Sequence, residues 1–234
     1  MKTNCTHSAL IVIDMENGFI NKASAQCIPM ADATLPNCVM AVKTARDKNI
    51  PVFFVKRIYR TNGSDVELTR YKSWKNGKKA MTPESTGNIS AQAPDGLKPQ
   101  NGDYTIIKPR WSAFFNTELD LILRRLMIRT VILIGTTTPN CIRTTAYDAN
   151  SLEYNVVVLK DCCSSATEEI QNANIADMER MGAVIMSAAD FENYNENTVK
   201  DLTPEILDEI ESEDCPPEPF KNFENCGTGW TDLW

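Results

Sequence analysis

Three side chains able to take part in nucleophilic chemistry follow short apolar runs in this chain. Asp14 closes the run 8–13, Lys108 closes the run 104–107, and Cys141 follows the run 131–134 after a polar turn. Short branched apolar runs are the signature of buried strands. In open α/β sheets, ligands sit at the carboxyl ends of the strands. Were these three runs neighbours, an acid, an ammonium and a thiol would converge at one edge. A thiol needs a group to take its proton. The chain has a single histidine, His7, placed ahead of the first run. A Cys-His pair, a Ser-His-Asp triad or a histidine-rich metal site would have to use it. With His7 read as an exposed polar residue, Asp14 is the candidate base. Lys108 would hold that carboxylate in place and favour charged species beside it.

The nucleophile's own segment reads as strand, turn, helix. Gly135 ends the run, and Pro139 suits the first turn of a helix, where its missing N–H would be unpaired anyway. Ile142, Ala146 and Ala149 then fall on one helical face. Cys141 is thus expected in the first helical turn, where the positive end of the dipole favours thiolate. Backbone N–H groups there could stabilise an oxyanion. On position alone, Asp14 is equally well a cap or turn residue, and Cys141 a buried structural cysteine.

The elements that must position these residues follow from periodicity. Helical spacing covers 32–48, 119–126 and 167–181, the last stopped by Gly182. Strand-like runs cover 52–55, 156–161 and 183–186. Alternating strands and helices predict an α/β fold, a three-layer α-β-α arrangement around a six-stranded, mostly parallel, Rossmann-like sheet. Neither GxGxxG nor GxxxxGK[ST] occurs, which weakens a nucleotide-binding reading. Residues 56–100 form a long polar stretch, and connections of that length are usually functional loops or lids. It carries Arg57, Arg60, Arg70, Lys72, Lys75, Lys78 and Lys79. These make either a solvated basic surface or, through one or two arginines, a grip on a substrate carboxylate. Trp74 either covers a site or anchors the loop.

Composition shifts near residue 193. We divide the chain into a main domain, 1–192, and an acidic extension rich in Pro and Trp, 193–234. The extension is expected to hold a short helix over 204–211 and to pack on its own domain or a neighbouring subunit. The net charge of −7 argues against nucleic acid and anionic membranes as partners. No apolar run approaches the roughly 20 residues that span a bilayer. The first residues lack a secretory pattern, so the expected address is the cytoplasm, with reduced thiols. Among the eight cysteines no CxxC pair appears. Cys162 and Cys163 read as small apolar fillers, and Cys215 and Cys226 lie in the extension.

Three ordered motifs carry a resemblance. They are Ile11-Val12-Ile13-Asp14-Met15-Glu16-Asn17 with Phe19, then Lys108-Pro109-Arg110-Trp111-Ser112-Ala113-Phe114, then Gly135-Thr136-Thr137-Thr138-Pro139-Asn140-Cys141 running on to Ala149. Over roughly residues 8–191 the chain resembles the isochorismatase-like cysteine hydrolases. The resemblance implies a six-stranded parallel sheet and an Asp14–Lys108–Cys141 triad. It also implies a cis peptide near Thr136-Thr137 that helps aim the amides of Thr137 and Cys141 at an oxyanion. It implies no cofactor, a small-molecule substrate and a homo-oligomer, dimer or tetramer. The nicotinamidase branch binds a metal through histidines and an aspartate. His7 alone cannot supply that set, so no metal is expected. The second motif looks more like the branch acting on carbamoyl and ureido compounds. We assign substrate contacts to Phe19, Arg57, Arg70, Trp111 and Asn140. The resulting expectation is a cysteine amidohydrolase. The alternatives are a vinyl ether hydrolase of the isochorismatase type and a non-catalytic binding or assembly module. Two positions depart from the family pattern: Glu16 stands where Gln is usual and Gly18 where Asp is usual. Glu16 adds negative charge close to Asp14 and could raise the base's pKa.

Overall fold

The structure, a computed structural model, describes residues 7–83 and 90–213. The chain divides into two compact units, Met1–Lys200 and Asp201–Trp234. In the first unit the order is β1 (Ser8–Ile13), α1 (Asn17–Ile20), α2 (Ala31–Asp47), β2 (Val52–Lys56), α3 (Tyr71–Asn76) and β3 (Tyr104–Ile107). Then follow α4 (Leu119–Arg125), β4 (Thr130–Thr136), a π-helical turn (Thr138–Ile142), α5 (Arg143–Ser151), β5 (Asn155–Ser164), α6 (Glu168–Arg180), β6 (Val184–Met186) and α7 (Ala188–Phe191). The second unit holds α8 (Thr203–Ser212), close to the expected short helix. Cys215, Cys226 and the rest of the extension's end lie outside the described residues. Among the described residues no helix is long and apolar enough to cross a membrane.

All six strands are parallel, in the order β3-β2-β1-β4-β5-β6. The chain winds outward from β1 to one edge, then returns to β4 and winds to the other. The strand order therefore reverses between β1 and β4, and a crevice opens there at the carboxyl ends. Both faces of the sheet are covered, which is why its central strands read as continuous apolar runs. Alternation along each strand sorts side chains to two cores. Ala9, Ile11, Ile13, Val131 and Leu133 face α4, α5 and α6. Leu10, Val12, Ile132 and Ile134 face α2 and α7. Each such fully buried aliphatic side chain contributes roughly 1.5–3 kcal/mol.

Helix ends follow their local chemistry. The Thr167 hydroxyl caps α6 by accepting the Ile170 N–H at 3.2 Å, and Gly182 leaves that helix with φ 97°. At α7, Ser187 and Asp190 form a reciprocal capping box.

Two boundaries differ from the sequence expectation. β5 runs on to Ser164, because its ladder to β4 resumes after an irregularity between Leu133 and Gly135. Cys162 and Cys163 are thus buried within the strand. The first unit extends to Lys200 rather than residue 192. Tyr194 is buried against Phe191, and its hydroxyl bonds Ser8 Oγ at 2.8 Å. The stretch 56–100 is no structureless loop. It contains α3 and a small core of its own, in which Trp74, Tyr59, Val66 and Met81 pack with Phe19.

Gly135 lets β1 and β4 close up at the crevice. It has φ 119° and pairs with Ile13. A Cβ added there would lie 2.0 Å from the Ile13 carbonyl oxygen. We predict that Gly135→Ala costs at least ~2 kcal/mol, from the strained φ and the overlap together. Urea denaturation would check it, and a midpoint equal to that of the parent would contradict it.

Candidate active site

Asp14 directly follows β1, and its φ of 50° lies in the left-handed region. Aspartate tolerates that conformation better than most side chains. Lys108 follows β3 and extends its ladder, donating its N–H to the Lys56 carbonyl at 2.9 Å. Cys141 lies in the π-helical turn beyond β4. β3 is separated from β1 by β2, so Lys108 spans the end of β2 with its long side chain. Its Nζ lies 2.8 Å from Asp14 Oδ2. The same Nζ donates to Cys141 Sγ at 3.4 Å and to the Arg110 carbonyl at 3.0 Å. Asp14, Lys108 and Cys141 are all buried, Lys108 completely. Among the described residues no hydrogen-bond partner is found for Asp14 Oδ1.

This burial corrects one expectation. The helix start was expected to favour thiolate at Cys141. Instead, burial pushes the thiol up to about 11, and the neighbouring Asp14 carboxylate adds to that. Lys108 and Arg57 pull it down but do not prevail. Cys141 also precedes the α-helix proper, sitting in the π turn and not in the first turn of α5. Burial therefore favours the thiol form of Cys141 over the thiolate.

The crevice is a cavity of about 380 Å³, with Asp14 and Cys141 on its wall. Phe19, Arg57, Arg70 and Asn140 line it, as does Thr137. Thr136 is buried beneath, and the peptide joining it to Thr137 is cis. Trp111 does not line the cavity; it is 39% exposed on the outer surface. The chain turns outward after Lys108, where Arg110 reaches away to the Asp65 carbonyl at 2.8 Å.

Several lining residues escaped the sequence reading of the site, Tyr59, Ser73, Ser165 and Ile170 among them. Ser165 follows the extension of β5, which its apolar pattern did not show. Trp74 both lines the cavity and anchors the loop, its Nε1 donating to the Ala80 carbonyl at 2.9 Å. Arg57 is neutralised by Glu67, to which its Nη1 donates, and it also donates to Tyr59 Oη at 3.2 Å. Arg70 is half-buried and has no ion-pair partner among the described residues. No cluster of three or more His, Cys, Asp or Glu side chains among the described residues is arranged to hold a metal ion.

The family model described as the isochorismatase domain matches residues 8–190. The chain belongs to the isochorismatase family. It is similar to a probable inactive nicotinamidase of Arabidopsis thaliana, 39% identical over 75% of this chain and 90% of that one. It is also similar to the ureidoacrylate amidohydrolase RutB of Enterobacter sp. (strain 638), 35% identical over 79% of this chain and 87% of the relative. Among solved structures, an isochorismatase family protein from Desulfovibrio vulgaris superposes with TM-score 0.74 at 33% identity. That match covers 87% of this chain and 99% of the other. N-carbamoylsarcosine amidase from Thermoplasma acidophilum gives TM-score 0.64 at 28% identity, over 77% and 96%. The six-stranded parallel sheet is thus that of an isochorismatase-family hydrolase.

Glu16 is buried beside Asp14. Both its carboxyl oxygens accept the Arg57 backbone N–H, at 3.1 and 3.3 Å. Burial, and next the charge of Asp14, push its pKa well above the ordinary 4.5. A carboxyl raised in the folded state binds its proton more tightly there than in the unfolded chain. Stability then falls as pH climbs from the ordinary carboxyl value toward the raised one. Glu16→Gln keeps the acceptor without the charge. We expect it to stabilise the protein more at pH 8 than at pH 5, as read from urea midpoints. An equal change at both pH values would refute this.

Proposed function

We propose that this protein is a cysteine hydrolase that cleaves a C–N bond in a small amide, carbamoyl or ureido compound. One observation carries the reading: a fully buried lysine joins a carboxylate at 2.8 Å to a thiol at 3.4 Å, and both of these partners line the crevice. The amidohydrolase and amidase among its relatives support the bond type. Asp14 takes the Cys141 proton as the sulfur attacks the carbonyl carbon. The S–C bond forms and negative charge moves to the carbonyl oxygen, toward the backbone N–H groups of Thr137 and Cys141. Collapse breaks the C–N bond, and Asp14 returns the proton to the leaving nitrogen. Asp14 then takes a proton from water, whose oxygen attacks the thioester and releases the acid and the thiol. Lys108 orients Asp14 and balances the charge that shuttles between oxygen and sulfur. Because Cys141 starts as a thiol, the carboxylate beside it is indispensable to this route.

Substrate recognition falls to the opposite wall. Arg57 is already compensated by Glu67, whereas Arg70 has its charge to spare. We assign Arg70 to a substrate carboxylate, with Phe19 and Asn140 bordering the reacting group. Arg70→Ala is expected to raise KM about tenfold or more for compounds bearing a carboxylate, leaving kcat within a few-fold. An unchanged KM removes that assignment.

A second reading is a non-catalytic binding module, favoured by the name of the Arabidopsis relative. An ammonia-release screen over carbamoyl, ureido and simple amide compounds separates the two. We expect turnover that is lost in Cys141→Ala, and a covalent acyl adduct on Cys141 in intact-mass spectra of the trapped parent. Full activity in Cys141→Ala would overturn the mechanism. Ammonia release without an adduct would remove the thioester from the route; the vinyl ether type of hydrolysis, which needs no nucleophilic thiol, would release no ammonia in this screen.

A further inference from the structure

Lys108 and Cys141 must be held to a few tenths of an ångström, yet the sheet does not join them. Lys108 leaves β3 and Cys141 follows β4, with β2 and β1 between the two strands. The ladders relate the two strands only through β2 and β1, so any direct link between their segments has to lie above the sheet edge. The Thr145 hydroxyl sits where that link is needed. Its Oγ1 donates to the Cys141 carbonyl oxygen at 2.6 Å and accepts the Ala113 backbone N–H at 3.0 Å. Thr145 and Ala113 are both completely buried. Among the described residues it is the single hydrogen bond between residues 109–118, which follow Lys108, and residues 138–151, which carry Cys141.

We propose that Thr145 is a positioning residue for the reaction. One hydroxyl fixes the nucleophile's turn against the segment that holds Lys108. It touches neither substrate nor reacting atoms. A threonine that bonds back to the carbonyl four residues earlier is commonplace in helices. Thr144 does so too, to the Asn140 carbonyl at 2.6 Å. The distinction lies in the second bond. Thr145 receives an N–H from a different segment, and Thr144 is half-buried with no such bond among the described residues. Thr144 is therefore an internal control for ordinary back-bonding.

The proposal rests on Cys141 as nucleophile, so its test is read partly without substrate. The probe is iodoacetamide, with carboxamidomethylation of the Cys141 peptide followed by mass spectrometry at pH 8.5. Lys108 lowers the thiol's pKa, so a lysine that has drifted leaves less thiolate. Thr145→Val is expected to slow alkylation at least threefold. It should also lower kcat tenfold or more on the best compound of the ammonia screen, with KM within threefold. Thr145→Ser, which restores the hydroxyl, should return both to near the parent, and Thr144→Val should match the parent. Alkylation and kcat within twofold of the parent in Thr145→Val would overturn the proposal. So would a Thr145→Ser as impaired as Thr145→Val, since shape and not the hydroxyl would then matter. Valine places a methyl against two buried polar groups, so Thr145→Ala, which leaves room there, decides if the valine variant fails to fold. If neither folds, Thr145 serves the fold and the proposal falls. Turnover surviving in Cys141→Ala would sink the nucleophile reading, while the alkylation comparison would still judge Thr145.

Discussion

The contact between Lys108 and Asp14 is the constraint to which the rest of the site answers. Both groups are almost wholly out of water, at 0% and 2% side-chain exposure, and 2.8 Å apart. Withdrawing two such charges from solvent costs several kcal/mol each, and mutual attraction offsets this only with good geometry. Removing one partner from a buried pair costs about 3–5 kcal/mol, because the other is left uncompensated. The pair is weak evidence for stability. It is stronger evidence for a task that needs a carboxylate and an ammonium held at fixed separation in a dry place.

That requirement explains several otherwise unrelated features. Asp14 adopts a left-handed backbone conformation where β1 stops. The close approach of Gly135 to Ile13 draws the ends of β1 and β4 together. The Arg110 carbonyl gives the lysine a further acceptor. Glu16, a second buried acid, is held by the Arg57 backbone N–H, and burial disfavours its charge. A second full negative charge beside Asp14 would compete for the same lysine. The thiol completes the arrangement with its pKa raised, so that Asp14 and Cys141 are not both charged side by side.

Much of the fold was legible in the sequence, because sheet strands covered on both faces must be apolar throughout. The runs ending near Ile13, Val55, Ile107 and Ile134 therefore marked strands directly. The extension of β5 to Ser164 was not legible. Lys160 and Asp161 interrupt its apolar pattern, and only the ladder to β4 carries the strand past them. Nor was the compact interior of residues 56–83 visible, since Trp74, Tyr59 and Met81 pack at no regular spacing. Trp111 shows the converse. Its place beside Lys108 suggested the cavity, but a peptide's direction after a strand depends on what its neighbours bond, and here it turns to the surface.

By itself the sequence determined which groups could react. With one histidine in the chain, a carboxylate or a lysine was left as the candidate to take the thiol's proton, and Asp14, Lys108 and Cys141 stood at the ends of apolar runs. Tertiary structure alone decided that these ends meet. Strand order is not encoded in any strand's own periodicity, and β3 lies two strands away from β1. It also decided the thiol's resting state. Local helix position argued for thiolate, but burial and the neighbouring Asp14 carboxylate act through space, from residues more than a hundred positions away in the chain.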